Sequence, residues 1–406
     1  MTKYLYISCI LLALLGCKSE LDTDIKSTLV LNLVDEQGKL DHKQDTGIPF
    51  ISQSATDRIF KELQIHKVGE IDLSDDYYLY MSVYNGYPCA IKMTYSVVDC
   101  FDSDASIVHR FGAGKGRGPA ELLELDRQAI LHDGTILLSD FNNRIQKIVA
   151  PNGTELLMNI QRSLDSPAHT VASNGTTLFV FTGSLFLTEP TLVYFERQFD
   201  GSWLRVNGAN LYDQLAPVTE SLVSDDPTSE ISRDLVAVPD VYTGILAGHS
   251  DNDFYLVSMY SGLLIRLDNK KATFARNLIT SPINNEVTLQ KVVQNVPEAY
   301  RASYAPPIYY LKKLEGRRFY TYGLTVQNNF VYNIDHGQVE NVRGIIIDTY
   351  HESDGSYSHS YFFDPQTSVT YLGIQLYQDK LFILNGDGNI LVFELKFSSI
   401  SDPNAY

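Results

Sequence analysis

Few residues in this chain combine the type and the spacing that chemistry needs, and the clearest is Cys17. It closes the run Leu14-Leu15-Gly16-Cys17, behind Lys3 and an apolar stretch from Tyr4 to Leu15. A positive start, about a dozen apolar residues and a small residue before a cysteine make up a bacterial lipobox. Gly16 gives a signal peptidase access to the bond, and the Cys17 thiol accepts the acyl chains. The apolar stretch is well short of the roughly 20 residues that span a bilayer. Residues 1–16 are therefore expected to be a removable leader, with acylated Cys17 holding the chain to a lipid bilayer. Each buried CH₂ of such an anchor contributes about 0.8 kcal/mol. Lys18, not Asp, follows the cysteine, which points to the outer membrane, facing either the periplasm or the cell surface.

A second stretch runs His109-Arg110-Phe111-Gly112-Ala113-Gly114-Lys115-Gly116-Arg117-Gly118-Pro119-Ala120-Glu121. Four alternate glycines permit unusual φ values and close backbone approach. Two readings stay open. In one the loop is a tight connection between two strand units, braced by Glu121. In the other its N–H groups, with Lys115 and Arg117 between them, form an anion nest. A phosphate loop of the Gly-Lys-Ser/Thr kind is excluded by the ending, and no βαβ unit surrounds the motif.

Other candidates are weaker. Asp140, Asn142 and Asn143, and likewise Asn385, Asp387 and Asn389, offer oxygen ligands for calcium, but each set also suits an Asx-turn. His249, His351 and His359 could move protons. Gly355 falls where a zincin would need its second histidine, and no Gly-x-Ser-x-Gly elbow occurs. Cys89 and Cys100, eleven residues apart in one strand-rich unit, can pair in an oxidising compartment or remain buried thiols.

These groups must be carried by strands. The chain has 406 residues, 26 Tyr and 19 Phe but one tryptophan, Trp203, and a formal net charge of −17. Tyr and Phe favour strands. Exposed tyrosines also make sugar-stacking platforms, against which the near absence of Trp weighs. The acidity argues against nucleic acid, whose phosphates need clustered Lys and Arg. β-rich runs recur between turn signals such as Asn85-Gly86, Asn174-Gly175 and Asn328-Asn329. The clearest hairpins lie near residues 81, 137, 180, 256, 330 and 382, about 60 residues apart, longer than a WD40 blade. The expected fold is all-β: a six-bladed β-propeller of four-stranded antiparallel blades over residues 46–400, after a lipidated tether at 17–45. Leu289, Val292, Val293 and Val296 stand at helical spacing, so a short inserted helix is expected near 286–301.

A strand ending in Phe111-Gly112, the glycine run closing Gly118-Pro119-Ala120-Glu121, and Ser139-Asp140-Phe141-Asn142-Asn143-Arg144-Ile145 some twenty residues on resemble one known family. They are similar to the Bacteroidetes TolB-like, six-bladed β-propeller lipoproteins, with an NHL-like blade at 137–148. The resemblance covers residues 45–400 and implies a propeller; it brings no biochemical activity with it. The function expected is a non-catalytic binding or scaffold module whose ligand is a nutrient or a protein partner. The alternative is a metal-dependent lactonase, lyase or glycosidase with its site in the central channel, for which calcium would be the cofactor.

Overall fold

The computed structural model describes residues 31–33, 50–51, 58–74, 76–118, 121–130, 321–365 and 370–397. Between 131 and 320 it describes the strands named below and short adjoining turns. Every regular element among them is a β-strand.

In chain order, β1 (Leu31–Leu33), β2 (Phe50–Ile51) and β3 (Leu63–Asp72) precede a first meander. That meander is β4 (Tyr78–Tyr84), β5 (Tyr87–Lys92), β6 (Val97–Phe101) and β7 (Ile107–Phe111). The second is β8 (Leu125–Ile130), β9 (Ile136–Asp140), β10 (Ile145–Val149) and β11 (Leu156–Asn159). The third is β12 (Thr170–Ser173), β13 (Thr177–Phe181), β14 (Leu192–Arg197) and β15 (Trp203–Ala209). After β16 (Leu235–Ala237) come β17 (Gly244–Gly248), β18 (Asp253–Ser258), β19 (Leu263–Asp268) and β20 (Lys271–Asn277). After β21 (Leu289–Gln294) and β22 (Ile308–Lys312) come β23 (Gly323–Gln327), β24 (Phe330–Val339), β25 (Val342–His351) and β26 (Tyr357–Phe363). Finally β27 (Tyr371–Tyr377), β28 (Lys380–Asn385) and β29 (Asn389–Phe397) take β3 as their fourth strand.

Each meander is antiparallel and hydrogen-bonded in chain order. Their first strands touch in a closed cycle: β4 meets β8, β8 meets β12, β12 meets β17, β17 meets β23, β23 meets β27, and β27 returns to β4. Antiparallel sheets arranged around their first strands are the blades of a β-propeller. The turns follow from local chemistry. Asn85 and Gly86 both take positive φ (50° and 83°), as do Asn328 and Asn329 (53° and 65°). That backbone matches the strand twist at two-residue hairpins.

The core is a series of wedges between blades. Tyr332, Ile334, Ile345 and Ile347 of one blade meet Ile374, Leu376, Leu381 and Ile383 of the next. Ile71, Phe382, Leu384 and Ile390 meet Tyr78, Ala90 and Phe101. Cys89, Ile91, Val98, Cys100 and Phe111 meet Leu122, Leu125, Ile136 and Leu138. Strands buried on both faces read as continuous apolar runs, which is why Val97 to Phe101 and Leu381 to Leu384 lack alternation.

The segment expected to be helical is strand β21, paired with β1 on one side and β22 on the other in a sheet ordered β1-β21-β22-β16. Val292 and Val293 are β-branched and lose rotamer freedom in a helix. Pairing on both edges satisfies their backbone groups and decides the conformation.

The N-terminal chain straps the outer edges of successive blades. β2 lies parallel to β20, Phe60 bridges Ser360 in parallel beside β26, and β3 then completes the last blade. Arg58 fixes the strap, donating from Nε and Nη2 to the two carboxylate oxygens of Asp348 at 2.8 and 2.9 Å. The Asp348 side chain is wholly buried and also accepts from Ser360 Oγ at 2.6 Å. Removing one partner of a buried pair strands the other charge. Arg58→Ala is expected to lower unfolding free energy by about 3 kcal/mol in urea titrations. Unchanged stability would mean that the strap does not hold the ring.

Candidate functional site

In a four-stranded meander the first strand starts at the end where the previous blade's fourth strand finishes. The turn between second and third strands lies at that same end, called here the entry end. At the entry end of the first blade stand Asp76, Tyr77, Tyr80, Lys92 and Tyr95, with the glycine loop beyond them. Met93 N donates to Tyr77 O at 3.1 Å, and Tyr95 N donates to Lys92 O at 3.2 Å, which ties these segments together. The Lys92 ammonium is ion-paired with Asp76 and lies 4.8 Å from the Tyr95 ring centroid. Tyr77, Tyr80 and Tyr95 are 42%, 37% and 58% exposed, as are Tyr87 (37%) and Tyr377 (36%) at the opposite end.

Tyr80 is a β-bulge. Leu79 pairs with Ile91 and Met81 with Ala90, so Tyr80 has no counterpart on β5, and its φ is +51°. A positive φ at a bulky residue costs on the order of 1–3 kcal/mol and is retained where surroundings impose it, often at functional positions. The neighbouring first strands are interrupted at the same level. The pairing shifts between Leu125 and Arg127 in β8 and between Tyr371 and Gly373 in β27. A Cβ on Gly373 would lie only 3.0 Å from Met81 N, so β27 and β4 approach closely there. On the far side of β27, His336 makes edge contacts with Tyr322 and Tyr371 at 5.8 and 6.2 Å. Bulges of this kind re-aim side chains.

The glycine loop resolves as a tight connection. Gly112 and Gly114 take φ of +90° and +105°. Gly116 N donates to Leu122 O at 3.0 Å and Leu122 N to Gly114 O at 3.1 Å. Gly118 N donates to Glu121 Oε2 at 2.7 Å. The anion at this loop is thus the chain's own carboxylate. A Cβ on Gly116 would overlap Glu121 Oε2, so the glycine makes room for the brace. Lys115 and Arg117 are exposed, and Pro119 lies outside the described residues. In the same blade Cys89 and Cys100 face each other across β5 and β6, and their sulfurs are bonded at 1.99 Å.

The remaining candidates are largely occupied by structure. Asn385 Oδ1 accepts from Asp387 N at 3.1 Å and Asn389 N at 2.9 Å, an Asx-turn. Asn142, Asn143, His249 and Cys17 lie outside the described residues. Asp140 is the last residue of β9. His351 is exposed and tilts against Phe330, 5.2 Å away. His359 is buried, with Nδ1 2.8 Å from Ser358 Oγ and Nε2 2.8 Å from Tyr361 OH. Burial, helped by the Lys61 and His351 charges, holds its pKa down at about 4. Among the described residues no three His, Cys, Asp or Glu side chains come together to hold a metal ion. Nor is any helix there long and apolar enough to cross a membrane.

Two features escape sequence reasoning. One is the Tyr80 bulge, hidden within a uniform β-rich run. The other is Asp99, wholly buried, which accepts from Arg110 Nε at 2.6 Å, Arg110 Nη2 at 2.9 Å and Tyr78 OH at 3.0 Å. Burial and the adjoining Asp99 charge push the Tyr78 phenol pKa well up. A lone acid inside Val97-Val98-Asp99-Cys100-Phe101 was the available signal for that network.

No family model and no curated protein matches the chain. Several solved structures are similar to it in fold. BamB from Moraxella catarrhalis shares 11% identity, with 82% of this chain and 99% of that one covered, at a TM-score of 0.40. An exported protein from Bacteroides fragilis shares 9%, with coverage of 86% and 100%, at a TM-score of 0.48. A catalytically inactive virginiamycin B lyase from Staphylococcus aureus, crystallised with quinupristin, shares 12%, with coverage of 82% and 100%, at 0.41. These likenesses are distant, and the propeller architecture rests on the strand order and ring contacts of this chain.

Two outcomes follow from these geometries. Glu121→Ala should lower the thermal unfolding midpoint, because Gly118 N loses its acceptor; an unchanged midpoint would remove the brace. For His359, the folded pKa lies below the ordinary 6.5. The stability it contributes is therefore full above pH 6.5 and is lost as pH falls towards 4, by up to about 3 kcal/mol. Stability measured between pH 7 and 4 should fall less steeply in His359→Gln; identical slopes would refute the assignment.

Proposed function

We propose that this protein is a lipid-anchored binding module of the bacterial envelope: a six-bladed propeller, tethered through Cys17, that presents its entry end to a ligand without transforming it. The cycle of first strands supports the count of six. The lipobox and Lys18 support an outer-membrane anchor, and the formal net charge of −17 argues against nucleic-acid binding.

The observation that carries the binding reading is the contrast between two sets of side chains. Asn385 and His359, which the sequence offered for metal or proton chemistry, bond the Asp387 and Asn389 backbone and the Ser358 and Tyr361 hydroxyls, and Glu121 braces the glycine loop. Tyr77, Tyr80 and Tyr95 at the entry end are part-exposed, at 42%, 37% and 58%. This arrangement favours recognition over the calcium-dependent enzyme.

The anchor is tested by growing cells with labelled palmitate. The wild-type chain should take up label and Cys17→Ser should not; an unlabelled wild-type chain would overturn the lipoprotein reading. Binding is tested by native mass spectrometry of the full protein extracted from its own envelope. A retained molecule or partner returned unchanged supports the module, and turnover of that molecule would overturn it.

A further inference from the structure

We propose that the N-terminal strap is an acid-released clasp on the outer rim: protonation of His359 lifts Ile59, Phe60 and Lys61 from β26, while Arg58 keeps its grip on Asp348. This goes beyond the reading of the protein as a binding module and is independent of its ligand and its anchor.

Three observations carry it. First, beyond Arg58 the strap is held on β26 by a few polar contacts. Ser360 N donates to Ile59 O and Lys61 N donates to Ser360 O, both at 2.9 Å, and Ile59 N donates to Tyr357 OH at 3.0 Å. Its side chains add little packing, since Ile59 is 61% and Phe60 42% exposed. Segments with few buried apolar contacts open before the core does. Second, His359 is buried in β26 beside Ser360, the residue that the strap brackets. Its two ring nitrogens lie 2.8 Å from Ser358 Oγ and Tyr361 OH, and the Tyr361 and Phe330 rings flank it at 4.9 and 6.1 Å. Leu63, two residues beyond Lys61, packs on the wedge that holds Tyr361, so the strap leaves β26 across the rim next to His359. Third, the charges that act on His359 are both positive, Lys61 of the strap and His351 at the end of β25. On its face of the blade, Thr349 of β25, Tyr332 of β24 and Tyr361 bring hydroxyls, and the next blade brings Phe397 against both tyrosines. Asp348 and Arg58 lie on the other face, where they neutralise each other.

A proton gained by His359 puts a charge out of water and beside two like charges. Lifting Lys61 moves one of those charges away and lets water reach the ring. With the strap closed the proton binds only near pH 4, against about 6.5 for a histidine in water. The closed strap is therefore fully favoured above pH 6.5 and loses its advantage as pH falls towards 4, and over that range the opening equilibrium grows by up to about a hundredfold. The movement ends at the Arg58–Asp348 pair, and the ring stays closed through β3 and β29. What opens is the outer mouth of the wedge between the fifth and sixth blades.

The test is amide hydrogen exchange of the full-length protein between pH 7 and pH 4, read by mass spectrometry at single residues and corrected for the intrinsic rate. Protection of the Lys61 and Ser360 amides should fall by about tenfold or more, while that of β24 and β25 holds within about twofold. In His359→Gln the fall should vanish. Lys61→Gln removes one of the like charges without touching the core and should make the fall shallower, which keeps the clasp testable if His359→Gln does not fold. No fall in the wild-type chain, a fall shared by β24 and β25, an equal fall in His359→Gln, or one as steep in Lys61→Gln as in wild type would overturn the clasp.

Discussion

Closure of the ring is the constraint on which everything else depends. A chain made of short strands exposes unpaired backbone at every sheet edge, and an open row of blades would leave its two end blades with one bare, apolar face each. Here β3, from before the first blade, pairs along the length of β29, from near the C-terminus. The last blade therefore belongs to both ends of the chain. Its wedge partners, Ile71 and Ile390 on one side and Tyr78 and Phe101 on the other, are buried only when the cycle is complete. Around the outside, the strap through Phe50, Arg58 and Phe60 covers edges that would otherwise invite another strand.

The same economy governs the polar groups. Buried carboxylates in this molecule are held by guanidinium groups in two-point contact, Asp99 by Arg110 and Asp348 by Arg58. Planar bidentate pairing suits such sites because it satisfies both oxygens at once. Asp99 and Arg110 stand opposite each other on β6 and β7 and so mark that register, whereas Asp348 and Arg58 tie β25 to the N-terminal strap. Tyrosines are part-exposed at both ends of the blades, Tyr77, Tyr80 and Tyr95 at one and Tyr87 and Tyr377 at the other.

Much of the architecture was readable from residue types. Asn85-Gly86 marks its hairpin through backbone freedom, and the apolar runs mark doubly buried strands. The hairpins near 81, 137, 180, 256, 330 and 382 fall on β4, β9, β13, β18, β24 and β28. Local signals failed where tertiary pairing decided the outcome. Val292 and Val293 satisfy a helical spacing and a strand equally, and only β1 and β22 choose between them. The site was less legible still. The glycine spacing left a braced connection and an anion nest both open, and the bond from Gly118 N to Glu121, three residues on, matches the braced connection. Tyr80 is unremarkable within Tyr78-Leu79-Tyr80-Met81 until the register with β5 shows that it has no opposite number.

The shared last blade also sets an order of events for the chain's maturation. Asn389 Nδ2 donates to Glu70 Oε1 across 319 residues of sequence, a contact that no local collapse can form early. Contacts of such separation slow folding, because the loop entropy must be met before the pairing rewards it. A chain that is delivered from its N-terminus has β3 waiting, unpaired, until the final strands arrive. Through that interval its exposed edge is open to proteases and to other nascent chains. Closure of the ring is thus bound to the arrival of β29, and a chain stopped before it leaves β3 without its partner strand.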